Sequence, residues 1–205
     1  MIPPEPLLGD PLPVPSPSPD MLERMARRRS APAQALGEPG PTPEQVRDLI
    51  RLGARVPDHG KLAPWRFVVI ERPAKDVLVD RLRTLSAAQP DPDKALAKLA
   101  KLAAAPVTLL VISRTTPGHK VPEWEQALSS GAVCMALLQG AHALGFGANW
   151  ITDWYAYAPE ALALLGVGAG EKVAGFIHLG TPAEPPLERA RPDAAALTTV
   201  WRPAY

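Results

Sequence analysis

Residues Val107–Ser113 read VTLLVIS, and the reading of this stretch decides the fold. The run is too short for an ordinary helix and rich in β-branched residues, so it is a strand. It does not alternate polar with apolar, so both of its faces are buried. A strand covered on both faces sits inside a sheet with helices above and below it.

The flanking chain supplies those layers. Trp65–Glu71 (WRFVVIE) reads as a second strand, Ala148–Thr152 as a short one and Lys172–Leu179 (KVAGFIHL) as the last. Asp20 can cap a short helix through Arg29. Thr42-Pro43-Glu44-Gln45 has the form of a capping box with proline in the first turn, and Val46, Leu49, Ile50 and Gly53 follow on one helical face. That helix stops before Pro57, because a residue preceding proline avoids the α region. Further helices are expected at 74–87, 92–103, 122–144 and 159–165. The second half of the longest, GAVCMALLQGAHAL (131–144), is apolar nearly all round, as suits a core or a subunit interface. Residues 1–19 belong to a proline-rich stretch in which proline fills eight of the first twenty positions. They read as a disordered or polyproline-like tail, either inert or a ligand for a proline-reading partner. Residues 20–205 read as a single domain.

Totals narrow the function. The 205 residues carry 22 basic and 21 acidic side chains, a net charge of +1, which leaves no nucleic-acid or membrane footprint. Cys134 is the single cysteine and has no internal partner, which fits a reducing, cytoplasmic setting. No apolar run reaches the roughly 18 residues of a membrane span. The four histidines show no metal-ligand spacing, so no metal is expected. No phosphate loop or nucleophile elbow is present.

Four places hold polar chemistry. Arg27-Arg28-Arg29-Ser30 is either a solvated basic run or, at a helix end, a pair of planar forks converging on an anion such as phosphate. Arg55, Asp58, His59 and Lys61 crowd the loop before the Trp65 strand. There Arg55 and Asp58 either pair with each other or join a ligand site at a strand end. Gly145-Phe146-Gly147 reads as a turn, followed by Trp150, which either packs in the core or covers a flat ligand. His119–Gln126 is ordinary helix-start chemistry.

Taken together and in order, these elements carry a resemblance. Arg28-Arg29-Ser30, Pro57-Asp58-His59, Pro64-Trp65-Arg66-Phe67, Trp124-Glu125-Gln126, Gly145-Phe146-Gly147 and Gly175-Phe176 with Leu179-Gly180-Thr181-Pro182 are similar to the nitroreductase family of FMN flavoproteins. The compact YdjA-like subfamily, whose loop also reads proline-aspartate-histidine, is the nearest match, over about residues 21–183. The resemblance implies an α+β fold, layered α/β/α, with a mixed central sheet flanked by helices in an intertwined homodimer. It implies FMN held at the subunit interface by Arg28, Arg29 and Ser30, by Arg55 and His59 of the second copy, and by Trp150, Ile151 and Thr152 along the rings. Gly140, Ala141, His142, Ala143, Leu144 and Gly145 match a segment assigned to the NAD(P)H donor. The implied activity is ping-pong hydride transfer from NAD(P)H through the flavin to a nitroaromatic or quinone-like small molecule, with no catalytic side chain required. Other chemistry on the same flavin scaffold, such as reductive dehalogenation or flavin fragmentation, and a non-enzymatic dimeric binding protein are the alternatives. Two departures stand out. Where many relatives have a basic residue beyond the Arg-Arg-Ser element, this chain reads Ala31-Pro32-Ala33-Gln34, leaving Gln34, Lys61 or a backbone amide to face the reduced ring; and Ala63 stands where many have glutamine.

Overall fold

VTLLVIS has a hydrogen-bonded partner on each side. The structure, a computed structural model, describes residues 2–203. In it Val107–Ser113 is strand β3, flanked by β2 (Trp65–Glu71) and β5 (Lys172–Pro182). Strand β4 (Gly147–Ile151) lines the other side of β5, and the two-residue β1 (Leu36–Gly37) pairs with the end of β5.

Side-chain alternation then splits the core into two layers. Val107, Leu109 and Val111 face α2 (Pro43–Gly53) and α6 (Glu123–Ala143), with Leu49, Val133 and Leu137 opposite them. Leu110 and Ile112 face the other way, toward α3 (Ala74–Ser86), α5 (Ala100–Ala104) and α7 (Pro159–Leu164). There they meet Leu82, Leu102, Tyr155 and Phe176. Truncating one such leucine to alanine costs about 2–5 kcal/mol. The fold is therefore α+β in three layers.

Every strand pairing among the described residues is antiparallel. This corrects the expectation of a mixed sheet for the single chain. Strands β3 and β4 do point the same way, joined by the long α6 crossover, but β5 lies between them, so no parallel ladder forms.

Local signals explain the element ends. The capping box forms as read: the Gln45 amide donates to Thr42 Oγ1 at 3.3 Å, and the Thr42 amide donates to Gln45 Oε1 at 2.8 Å. The first helix, α1 (Pro19–Ala26), ends three residues short of the expected Arg29. The helix expected at 92–103 is two, α4 (Pro92–Lys98) and α5, broken at Leu99. Residues 2–18 form no helix or strand. Among the described residues no helix is long and apolar enough to cross a membrane.

Candidate functional site at the two ends of helix α6

Arg28, Arg29 and Ser30 leave α1 as extended chain at the closing end of α6. Together with Arg24, His142 and Gly145, the two arginines line a cleft of about 700 Å3 whose margin also carries Asp20 and Glu23. Arg28 donates to Ser30 Oγ at 3.4 Å. Arg29 Nε donates to the Leu187 carbonyl at 2.8 Å, because the segment after β5 folds back over this cluster. Arg191 donates to the Arg28 carbonyl at 3.2 Å, and Glu188 lies 2.9 Å from Arg191 and 4.0 Å from Arg29. Burial pulls the Arg28 guanidinium below its ordinary pKa, and the cations of Arg191, Arg29 and Arg189 pull it further, with Glu188 the one opposing neighbour. His142 is likewise held below the usual imidazole value, by burial and then by Arg28. The electrostatic reading is a cluster with more positive charge than its carboxylates neutralise.

The opposite end of α6 holds the Pro57-Asp58-His59 loop. Asp58 does not pair with Arg55. Its carboxylate accepts from the amides of Leu62 at 3.1 Å and Ala63 at 2.7 Å. Those bonds hold a loop in which two non-glycine residues, Lys61 (φ 55°) and Ala63 (φ 45°), take left-handed conformations. Ser129 and Ser130 of α6 clamp the loop's two sides by donating to the carbonyls of Pro57 at 2.8 Å and Pro64 at 3.1 Å. His59 Nδ1 lies 2.6 Å from Glu125 Oε2 in the first turn of α6, and Arg55 is exposed.

Strand β4 runs back like a rail from the arginine cleft along α6, where a Cβ on Gly131 would lie 3.9 Å from the Trp150 ring. It begins beside the arginine cleft at Gly147 and ends at Ile151. Trp150 is fixed flat across the sheet: its indole Nε1 donates to the Ala174 carbonyl at 3.0 Å. The ring fills the space over Gly175, where a Cβ would come within 2.1 Å of Nε1. Thr152 Oγ1 accepts from the Tyr157 hydroxyl at 3.1 Å.

The expected residues thus separate into two groups. Arg28, Arg29 and His142 come together. His59 stands at the far end of α6, about 25 Å away at 1.5 Å per residue between Glu125 and His142, and Arg55 is exposed just past the end of α2. The Gly140–Gly145 segment also divides. Ala141 is buried, and a Cβ on Gly140 would meet Leu49 at 3.0 Å, so these two serve the α2–α6 contact, while His142 and Gly145 line the cleft. Arg189 and Arg191 are missing from the sequence reading, which assigned no role to the residues after the last strand. The signal available was the Glu188-Arg189-Ala190-Arg191 pattern, a basic pair just beyond Pro185-Pro186.

The pattern of the Nitroreductase family matches residues 25–181, more than half of the chain. The chain belongs to the nitroreductase family. Among its relatives, the "Putative NAD(P)H nitroreductase YdjA" of Escherichia coli (strain K12) is 37% identical over 164 residues, 80% of this chain and 88% of that one. The solved "Nitroreductase-like Family Protein from Bacillus cereus" superposes with a TM-score of 0.78 at 18% identity, over 91% of this chain and 98% of that one. A "putative nitroreductase in complex with fmn" from Desulfovibrio desulfuricans superposes at 0.69 with 25% identity, over 92% and 100%. The nitroreductase match begins three residues before Arg28 and ends before Arg189, so the proline-rich segment and the returning arginines lie outside it.

Proposed function

We propose that the protein is an FMN-dependent NAD(P)H oxidoreductase of the nitroreductase type, working as a homodimer. One observation carries the reading. Arginines 28, 29 and 191 crowd one end of β4, beyond what Glu188 neutralises, and a pinned, partly exposed tryptophan stands at the other. FMN has the matching shape, a dianionic phosphate at one end and a flat ring system at the other.

The residues fit that cofactor in kind and in sequence along the rail. Arg28 and Arg29 offer planar forks suited to two phosphate oxygens each, Ser30 adds a hydroxyl donor, and Arg191 adds a third cation. Trp150 offers a rigid apolar surface for the rings. FMN, when bound, supplies the hydride chemistry, accepting from NAD(P)H and passing on to an electron-poor acceptor such as a nitroaromatic or a quinone. The chain's own work is to bind, orient and exclude water. Donor and acceptor share one face of the site, which calls for ping-pong kinetics.

The second copy follows from α6. Its inner face is core, but its outer face carries Trp124 (72% exposed), Leu128 (53%), Ala132 and Ala136 at helical spacing with no charge among them. Packing two such helices antiparallel buries this stripe and brings Arg55 and His59 of one protomer toward Arg28 and Arg29 of its partner.

The test is the absorption spectrum of the purified protein together with NAD(P)H consumption in the presence of nitrofurazone, a quinone or oxygen. A yellow dimer with parallel-line kinetics is expected. A colourless protein that takes up no added FMN would overturn the reading.

A further inference from the structure

Both backbone groups of Ala31, the residue that follows the Arg28-Arg29-Ser30 element, are held by β4. The Ala31 amide donates to the Ala148 carbonyl at 3.2 Å, and the Ala31 carbonyl accepts from Asn149 Nδ2 at 2.5 Å. Asn149 therefore has one amide proton committed to the arginine element, and its Oδ1 points the other way.

Directly opposite Asn149 in the β4–β5 register is His178, and directly opposite His178 in the β3–β5 register is Thr108. Opposed residues lie on one face of a sheet with Cβ atoms about 5 Å apart. Thr108, His178 and Asn149 thus form a polar row across three strands. Lys75 of α3, fully buried, ends the row by donating to Thr108 Oγ1 at 2.9 Å and to the Ala105 carbonyl at 2.6 Å. Its direction can be read. Lysine only donates here, so the Thr108 hydroxyl hydrogen is free to go to His178 Nδ1, 2.9 Å away. The neutral ring then carries its proton on Nε2. Burial, with the cations of Lys75 and Lys101, holds His178 neutral with a pKa of about 3. His178 Nε2 and Asn149 Oδ1 are both buried without a protein partner, one a donor and the other an acceptor, on facing residues.

We propose that Asn149 is a positioning residue for the flavin phosphate: by gripping Ala31 it fixes the direction in which Arg28, Arg29 and Ser30 leave the sheet. This rests on the assignment of Arg28 and Arg29 to the FMN phosphate. Asn149 does not line the cleft, and its side-chain hydrogen bond among the described residues goes to the Ala31 carbonyl, so its effect reaches a ligand through the Ala31 backbone.

The experiment compares the full-length wild type with Asn149→Asp, nearly isosteric but unable to donate to the Ala31 carbonyl, and Asn149→Ala. FMN and riboflavin, which lacks the phosphate, are titrated by flavin fluorescence, and hydrogen exchange is followed at the Ala31 amide in flavin-free protein. At least tenfold weaker FMN binding is expected with riboflavin affinity unchanged, and at least tenfold faster exchange at Ala31 with β3 amides unaltered. A general loss of packing would lower both flavins together and would overturn the proposal, as would unchanged FMN affinity in both variants. Arg29→Ala separates the two levels. If wild type and Arg29→Ala bind FMN alike, the phosphate assignment fails; if Arg29→Ala weakens FMN binding and Asn149→Asp does not, only the role of Asn149 fails. If Asn149→Ala does not fold, Asn149→Asp alone decides.

Discussion

His59 and His142 stand at opposite ends of α6: His59 contacts Glu125 in its first turn, and His142 belongs to its last. About 25 Å of helix separates them, so one chain does not close both around the same small ligand. The proposed homodimer is the arrangement that would bring them together, across the outer face of α6.

That face gives the first prediction. Leu128→Glu places a carboxylate in the apolar stripe, twice over in a symmetric pair, where burying each unpaired charge costs several kcal/mol. Light scattering should show a monomer, and visible absorbance should show the flavin lost with the dimer. A flavin-loaded dimer of this variant would remove α6 from the interface.

The strained loop gives the second. Asp58→Ala strips two amides of their acceptor and should lower stability by about 1–3 kcal/mol. Ala63→Gly relieves a left-handed alanine, worth about 1–2 kcal/mol, against glycine's extra unfolded-state entropy of about 0.5–1 kcal/mol. The net expectation is a small stabilisation, read as a higher midpoint in urea.

Lys75 gives a pH dependence. Burial first, and then Arg72, hold its amine down at a pKa of about 7, with Asp76 and Glu38 opposing. In the unfolded chain the same amine titrates near its ordinary value of 10.5. Between those values the unfolded state binds the extra proton, so stability should rise with pH above about 7 and be flat below it. Lys75→Met should abolish that slope in denaturant titrations; an unchanged slope would assign it elsewhere.

The phosphate assignment gives a fourth. Arg28→Ala and Arg29→Ala should each weaken FMN binding by about 1–3 kcal/mol, and Arg191→Ala by an amount in the same range. Removing residues 2–16 leaves Ser18 to cap α1 and, among the described residues, costs one hydrogen bond to the rest of the chain, from Arg51 to the Pro3 carbonyl at 2.8 Å. Flavin content and dimer mass should survive that deletion.

What could be read from the chain follows from what is local. Seven-residue stretches rich in β-branched and aromatic side chains fixed β2 and β3 to the residue, and the Thr42–Gln45 spacing fixed the start of α2, because pattern and capping act within a few positions. The end of α1 was misplaced because arginine is a good helix former; what takes Arg28 out of the helix is the grip of β4 on Ala31, more than a hundred residues away. Strand β1 owes its existence to pairing with the tip of β5. The role of Asp58 depends on left-handed backbone at Lys61 and Ala63, which neither residue type announces. Arg191 and the Lys75–Thr108–His178 row are long-range assemblies, invisible until the strands are in register.

The most direct test of a site shared between two chains is subunit complementation. A protomer carrying Arg28→Ala and Arg29→Ala is mixed, under conditions that exchange subunits, with one carrying Arg55→Ala and His59→Ala, and bound FMN per dimer is measured. If each site takes one group from each protomer, the mixed dimer has one intact site and recovers one FMN where neither parent holds any. If both groups served a site within a single chain, every site in the mixed dimer would carry a lesion, and no FMN would return.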